Sequence, residues 1–301
     1  MSGAAARIRD DAGGTGPALG RLARLDALLV LAPLVPAFLA VLAFVVLPMA
    51  WLAWLSVLDE TGAYTLENYL RLTTTSVYFR SFLVTFQVSL TVTGLCILLG
   101  YPFAYLMAEL PRRLSSILMF AVLLPYWTSI LVRTYAWLII LQRRGIINEW
   151  LIDLDVIEQP LRLVHNFTGT VIGMVHIMLP FFVLPLYGAM MRIDRTYMMA
   201  AASLGTKPSE AFLRVFLPLS VPGILAGSFL VFVLSIGFYV TPAILGGGRV
   251  IMIAQQLENT VSLYANWGVA AALGMVLLVL SSCVLLLAAL VARLMIRAGR
   301  G

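Results

Sequence analysis

Few residues in this 301-residue chain have the types and spacing for covalent chemistry. His165 and His176 are its two histidines, eleven positions apart, with no carboxylate at helical ligand spacing. The pattern of a zinc site is therefore missing. Cys96 and Cys283 each lie inside an apolar run, where cysteine acts as a small buried hydrophobe rather than a disulfide partner or metal ligand. No G-x-x-x-x-G-K-[ST] occurs, so the chain has no P-loop with which to hold a nucleotide. Asn166-Phe167-Thr168 fits a glycosylation sequon, a three-residue pattern of low specificity. The residues predict no catalytic group, metal or cofactor in this chain.

What remains is Arg133, in LPYWTSILVRTYAWL, the one formal charge well inside a long apolar run. A charge in lipid is expensive and is a functional candidate by default. At about 1.5 Å per residue from Ser115, Arg133 lies roughly 27 Å along its run, near the far membrane boundary. Two roles are open. It can snorkel to the interface as a structural residue. It can instead line a path with Tyr126, Trp127 and Tyr135, because Trp and Tyr faces hold organic cations. Aromatics at an interface also serve as plain anchors. Gln87, Tyr101 and Tyr105 in the preceding run, and Phe238 and Tyr239 in a later one, are further path candidates or packing residues. No aspartate or glutamate lies deep in a run, which argues against an ion-coupled carrier, although backbone carbonyls can build such a site.

The elements that must position these residues follow from composition. Hydrophobic residues make up 61% and charged residues 11%, with a mean hydropathy of +0.99. Soluble domains carry about 25% charged residues, so the chain is an all-α polytopic membrane protein. The net charge of +6 comes from scattered cations without interleaved aromatics, which argues against a nucleic-acid partner. A span needs about 20 apolar residues, and six runs qualify: 27–57, 82–107, 115–141, 171–191, 217–245 and 267–292. The first is too long for a signal peptide and reads as a retained span. Loops on the side of both termini hold thirteen cations, including Arg7, Arg112, Arg113, Arg192, Arg195, Lys207, Arg214 and Arg300. The other side holds six: Arg71, Arg80, Arg143, Arg144, Arg162 and Arg249. Excess Lys/Arg marks the cytoplasmic face, so both termini are expected inside. The expected organisation is a tail over 1–26, a six-span domain over 27–295 and a tail over 296–301. The outer connections 58–80, 142–168 and 246–266 should carry short surface helices, the last either an interfacial helix or an ordinary loop after Gly246-Gly247-Gly248.

One cytoplasmic stretch, 194–218, is patterned but carries no nucleophile, base or metal ligand. Asp194 can cap a helix running to Leu204. Ala200, Ala201 and Ala202 favour that helix and allow close approach. Gly205 sits where a C′ residue with positive φ is wanted. Thr206 can cap a second helix with Pro208 and Glu210 in its first turn. Ala211, Phe212, Val215 and Phe216 give that helix an apolar face, with Arg214 pointing elsewhere. Physics alone leaves a linking loop and a docking element equally open.

The order Ala200-Ala201, three residues, Gly205, nine residues, Val215-Phe216-Leu217-Pro218 resembles the EAA loop of permease subunits of binding-protein-dependent ABC importers. Met199 stands where that family usually has Glu, and Val215 where it has Ile. LPYWTSILVRTYAWLIIL, GIINEWL, PLRLVHNFTGTVIGMVHIMLPFFVLPLYGAM and FYVTPAILGGG resemble the spermidine/putrescine-type subfamily. Relatives with this pattern also move opines, phosphonate compounds and other small solutes. Some carry an acid near Gly237-Phe238, which this chain lacks. The resemblance implies a type I ABC importer permease fold in the bacterial inner membrane. It implies two ATPase subunits that bind ATP and Mg, a second, homologous permease chain and an extracytoplasmic solute-binding protein. It assigns ATPase coupling to Met199, Ala200, Ala201, Leu204, Gly205, Glu210, Phe212, Arg214 and Pro218.

Overall fold

Lipid offers backbone groups no hydrogen bonds, so long apolar runs must become helices. A computed structural model describes residues 34–59 and 61–298. The tail expected over 1–26, residues 27–33 of the expected first span and residues 299–301 lie outside the described residues. The described chain is helical apart from turns and one isolated bridge between Leu58 and Tyr64. Helix α1, Leu34–Leu55, contains a π-type turn over Leu42–Val46 and is apolar on every side, as suits a helix in lipid.

From Ser56 onward the order is α2 (Glu67–Thr74), α3 (Ser76–Glu109), α4 (Arg112–Leu123), α5 (Ile130–Ile140) and α6 (Ile146–Asp153), then α7 (Phe167–Met190) and α8 (Thr196–Ser203). Helix α9 (Pro208–Ile236), α10 (Val240–Leu245), α11 (Ile253–Ser262) and α12 (Trp267–Ala298) follow. Helices α3, α7 and α9 pack on one another and form the core. Phe182 of α7 is fully buried at its centre. A Cβ added to Gly100 of α3 would lie 2.5 Å from the Phe182 ring, and one added to Gly227 of α9 would lie 2.8 Å from the Phe182 carbonyl oxygen. Helices in lipid gain little from hydrophobicity and associate by close packing, for which small residues leave room. Cys96 is buried in this core and Cys283 faces outward on α12.

Among the described residues five helices are long and apolar enough to cross a membrane, and the pair Arg112–Trp127 and Ile130–Ile140, bent by 99°, makes a sixth if it is counted as one span. Two expected runs are not continuous. The run 115–141 breaks: α4 ends in a 3-10 turn over Leu124–Trp127, Thr128 and Ser129 are extended, and α5 leaves at 99°. Pro125 opens this turn with no N–H to give. The run 217–245 stops at Ile236, and α10 restarts after Gly237, Phe238 and Tyr239. Pro242 explains that stop, because it cannot donate to the carbonyl of Phe238 and would clash with it.

The outer connections each carry a short helix: α2, α6 and α11. Helix α11 packs against α12 and α3, and Thr85 of α3 accepts a 2.8 Å bond from the Ile253 N–H at its start. It is therefore a docked helix rather than an ordinary loop. Fully buried Asn148 of α6 organises its connection, donating to Gln142 and Leu161 carbonyls and accepting from the Leu161 N–H at 2.8 Å. Asn166 of the sequon is the α7 cap, accepting from the Gly169 N–H at 2.9 Å and donating to the Arg162 carbonyl.

Candidate functional site

The stretch 194–218 folds as helix, glycine turn, helix. The first helix starts at Thr196 with Arg195 at the cap position and no side-chain cap, so the cap expected from Asp194 is not made; instead an Asp194 carboxylate oxygen accepts the Thr196 N–H at 2.9 Å just ahead of the helix. That backbone bond, with the Thr196 hydroxyl, holds the carboxyl below its ordinary range. Gly205 takes φ +79°. Around it the Thr206 N–H donates to Ala201 O at 3.1 Å, and the Gly205 N–H to Ala202 O at 2.9 Å. This is the pair of bonds that closes a helix through a left-handed C′ residue. The second helix opens on Pro208 at Lys207, with no side-chain cap, so the cap expected from Thr206 is not made. Its missing N–H is one that no helix start could satisfy internally.

The two helices have distinct faces. Ala201, Ala211 and Phe216 are buried, whereas Met199, Leu204 and Leu213 are exposed, Leu204 at 85%. Glu210 and Arg214 pair at 2.9 Å one turn apart on the open side. Ala200 and Pro218 are also exposed. The buried face is tied to the C-terminal end of α3. Tyr105 meets Phe212 and Phe216 edge-on at 5.1 Å each, Phe212 stacks on Phe216 at 5.9 Å, and Tyr101 meets Phe212 at 6.1 Å. Such edge-to-face contacts add to the area they bury. The Tyr101 hydroxyl also lies 3.1 Å from Ser220 Oγ, and Arg195 donates to the Ala108 carbonyl at 3.3 Å. The segment is thereby joined to α3 and α9. A pocket of about 450 Å³ behind this face is lined by Tyr105, Glu109, Asp194, Arg195, Met198 and Met199, among others.

The path candidates fall into separate groups. Tyr101 belongs to the aromatic cluster just described, and Gln87 is exposed on α3. Tyr126, Trp127, Arg133 and Tyr135 surround the break between α4 and α5, while Phe238 and Tyr239 form the break between α9 and α10. The two breaks are neighbours, because α5 packs on α10. Arg133 Nη2 donates to the Thr128 carbonyl at 3.0 Å and to the Pro125 carbonyl. The Pro125 carbonyl also accepts from the Thr128 N–H and hydroxyl, so the guanidinium's own contribution is a donor for the Thr128 carbonyl, the kind of bond that makes irregular backbone tolerable in a span. Tyr126 meets Phe181 at 5.2 Å, and Trp127 meets Phe120 at 5.2 Å.

Other residues here were not among the path candidates read from the sequence. Thr134 of α5 and Thr241 of α10, both fully buried, face each other at 3.3 Å between hydroxyl oxygens. The Trp137 indole N–H donates to His176 Nδ1 at 3.0 Å, so that nitrogen is an acceptor. A threonine in an apolar run is a weak signal, but a histidine in one was a readable clue.

The chain matches the family described as "Binding-protein-dependent transport system inner membrane component" over residues 100–297. It is similar to the spermidine/putrescine transport system permease protein PotB of Escherichia coli (strain K12), at 34% identity over 74% of this chain and 81% of that protein. The PotB of Haemophilus influenzae is 35% identical over 71% of this chain and 75% of that protein. In fold it is similar to a bacterial ABC transporter involved in the import of the acidic polysaccharide alginate, with a TM-score of 0.68 at 19% identity, over 91% of this chain and 98% of that one. With the helical bundle, the bent span and the helix–glycine–helix segment in place, this chain belongs to the family of inner membrane components of binding-protein-dependent transport systems.

Proposed function

We propose that this multi-pass inner membrane protein forms, with a second and homologous permease chain, the path of an ATP-driven importer for polyamines such as spermidine or putrescine. An extracytoplasmic binding protein delivers the solute, and two copies of a separate ATPase subunit bind ATP and Mg. The observation that carries this reading is the exposed apolar face of Met199, Leu204 and Leu213 on a helix–Gly205–helix joined to α3 and α9. An apolar patch rimmed by charge is the form a protein partner's docking site takes. Gly205, Ala200, Ala201, Glu210, Phe212, Arg214 and Pro218 set the shape of that joint. Similarity to PotB over three quarters of the chain supports the polyamine assignment.

The test is uptake into proteoliposomes holding the chain with its permease partner, ATPase and binding protein. Labelled spermidine or putrescine should enter only with ATP and the binding protein present. Entry driven by an ion gradient without ATP would instead identify a secondary carrier. ATP-dependent entry of an opine or phosphonate compound but of no polyamine would keep the machine and replace the solute.

A further inference from the structure

Of the outer-loop arginines, Arg80, Arg143, Arg162 and Arg249 converge on two adjoining recesses. The larger, about 550 Å³, is lined by Arg143, Arg162, His165, Asn166, Gly247 and Arg249, with neighbouring backbone. The smaller, about 450 Å³, is lined by Arg80, Ser81, Gly248 and Arg249, among others. Arg249 belongs to both.

The outer connections are also rich in acids, yet Glu67, Glu149, Asp153, Asp155, Glu158 and Glu258 line neither recess. Among the described residues the ion pairs are Arg71–Glu67 and Arg214–Glu210, so these four arginines have no carboxylate beside them. Gathering like charge without internal compensation raises the free energy of the empty recess and favours an anionic occupant.

The walls are fixed. Asn148 clamps the chain at Gln142 to the chain at Leu161, next to Arg143 and Arg162. Asn166 donates to the Arg162 carbonyl. His165, at φ +57°, lies against Gly247, where any Cβ would strike its imidazole. The arginine bearers are thus set before any partner arrives, which lowers the ordering cost of binding.

We propose that this recess seats an acidic loop of the solute-binding protein, with Arg143, Arg162 and Arg249 pairing with its carboxylates. The guanidinium fork matches a carboxylate two bonds at a time. The inference rests on the importer reading and adds the chemistry of the contact. A polyamine is a cation, so the recess repels the solute and does not compete with the breaks at 124–129 and 237–239 for it. Steering of this kind acts on the encounter rate and falls with salt.

The test uses the complete transporter in nanodiscs of neutral lipid and the purified binding protein. Binding should weaken about tenfold in the Arg143→Gln/Arg162→Gln/Arg249→Gln variant at low salt, and its salt dependence should flatten. Arg144→Gln, an outer arginine outside both recesses, should bind as the unaltered complex does. Basal ATPase activity equal to that of the unaltered complex shows that the triple variant is assembled. Arg162→Glu should be rescued by a lysine replacing an acidic residue on the binding protein. A triple variant with unchanged affinity and salt slope overturns the proposal alone. So does one that keeps the binding protein but loses co-purified anionic phospholipid, since the recess would then be a lipid site. An unaltered complex that hydrolyses ATP yet ignores the binding protein overturns the importer reading with it.

Discussion

Gly205 offers a clean separation of backbone strain from steric crowding. Its φ is +79°, and a Cβ added there would meet nothing within 4 Å. Any penalty from a side chain at this position is therefore conformational. A non-glycine residue in the left-handed region costs roughly 1–2 kcal/mol, less for Asn, and more for a β-branched side chain. The turn's two bonds, Thr206 N–H to Ala201 O and Gly205 N–H to Ala202 O, exist only in that conformation. Since about 1.4 kcal/mol is a factor of ten in an equilibrium, Gly205→Ala should reduce the closed turn about tenfold relative to open forms. Gly205→Asn should reduce it by about threefold or less, and Gly205→Val by more than Ala. Because α8 and the start of α9 present the exposed face together, retention of the ATPase should follow the order Gly, Asn, Ala, Val. The assay is co-purification of the ATPase, with binding-protein-stimulated ATPase activity as the functional readout. The membrane yield should stay level, because the core of α3, α7 and α9 is untouched. Wild-type retention and stimulation in Gly205→Val would refute the reasoning. An order set by side-chain size alone, with Asn worse than Ala, would refute it equally.

Three further outcomes follow from single contacts. Arg133→Leu takes the guanidinium donor from the Thr128 carbonyl, while the Pro125 carbonyl keeps the Thr128 N–H and hydroxyl, and should cost about 1–3 kcal/mol, read as a lowered melting temperature in detergent; Arg133→Lys should recover part of it, and an unchanged melting point in the Leu variant would dismiss the staple. Gly227→Ala sets a Cβ 2.8 Å from the Phe182 carbonyl oxygen and 2.9 Å from its ring; overpacking of this kind costs about 1–3 kcal/mol, whereas Gly94→Ala, with open space around it, should melt as the unaltered protein does. Asp194 has a folded pKa below its ordinary 3.8, so its bond to the Thr196 N–H contributes fully above that value and is lost as pH falls through the depressed one. Asp194→Asn keeps an acceptor for the Thr196 N–H and should remove that acid dependence, which comparing the helix content of the two proteins in detergent as pH is lowered through and below 3.8 would detect.

Features governed by one segment were legible, and features closed between segments were not. The glycine turn could be read because its requirement is local: a helix must end, a residue must take positive φ, and Pro208 must fall where its missing N–H is harmless. The bends were hidden because apolar residues serve a straight span and a broken one alike. The trace they left was length. A run such as 115–141 extends about 40 Å as a helix, against a hydrocarbon core of about 30 Å, and Pro125 and Pro242 stood where the surplus could be folded back. The Thr134–Thr241 contact joins residues 107 positions apart, and nothing local announces it. The arginine recess is hidden in the same way, since its cations come from four places that read as scattered surface charge. Arg133 joins the two cases. Its residue type marked it as costly in lipid, and that cost demanded a compensation. The geometry supplies one in the bend itself, where the Pro125 and Thr128 carbonyls both accept from the guanidinium. The charge therefore depends on the break for its acceptors more than the break depends on the charge, since the Pro125 carbonyl keeps its bonds from Thr128 when Arg133 is removed.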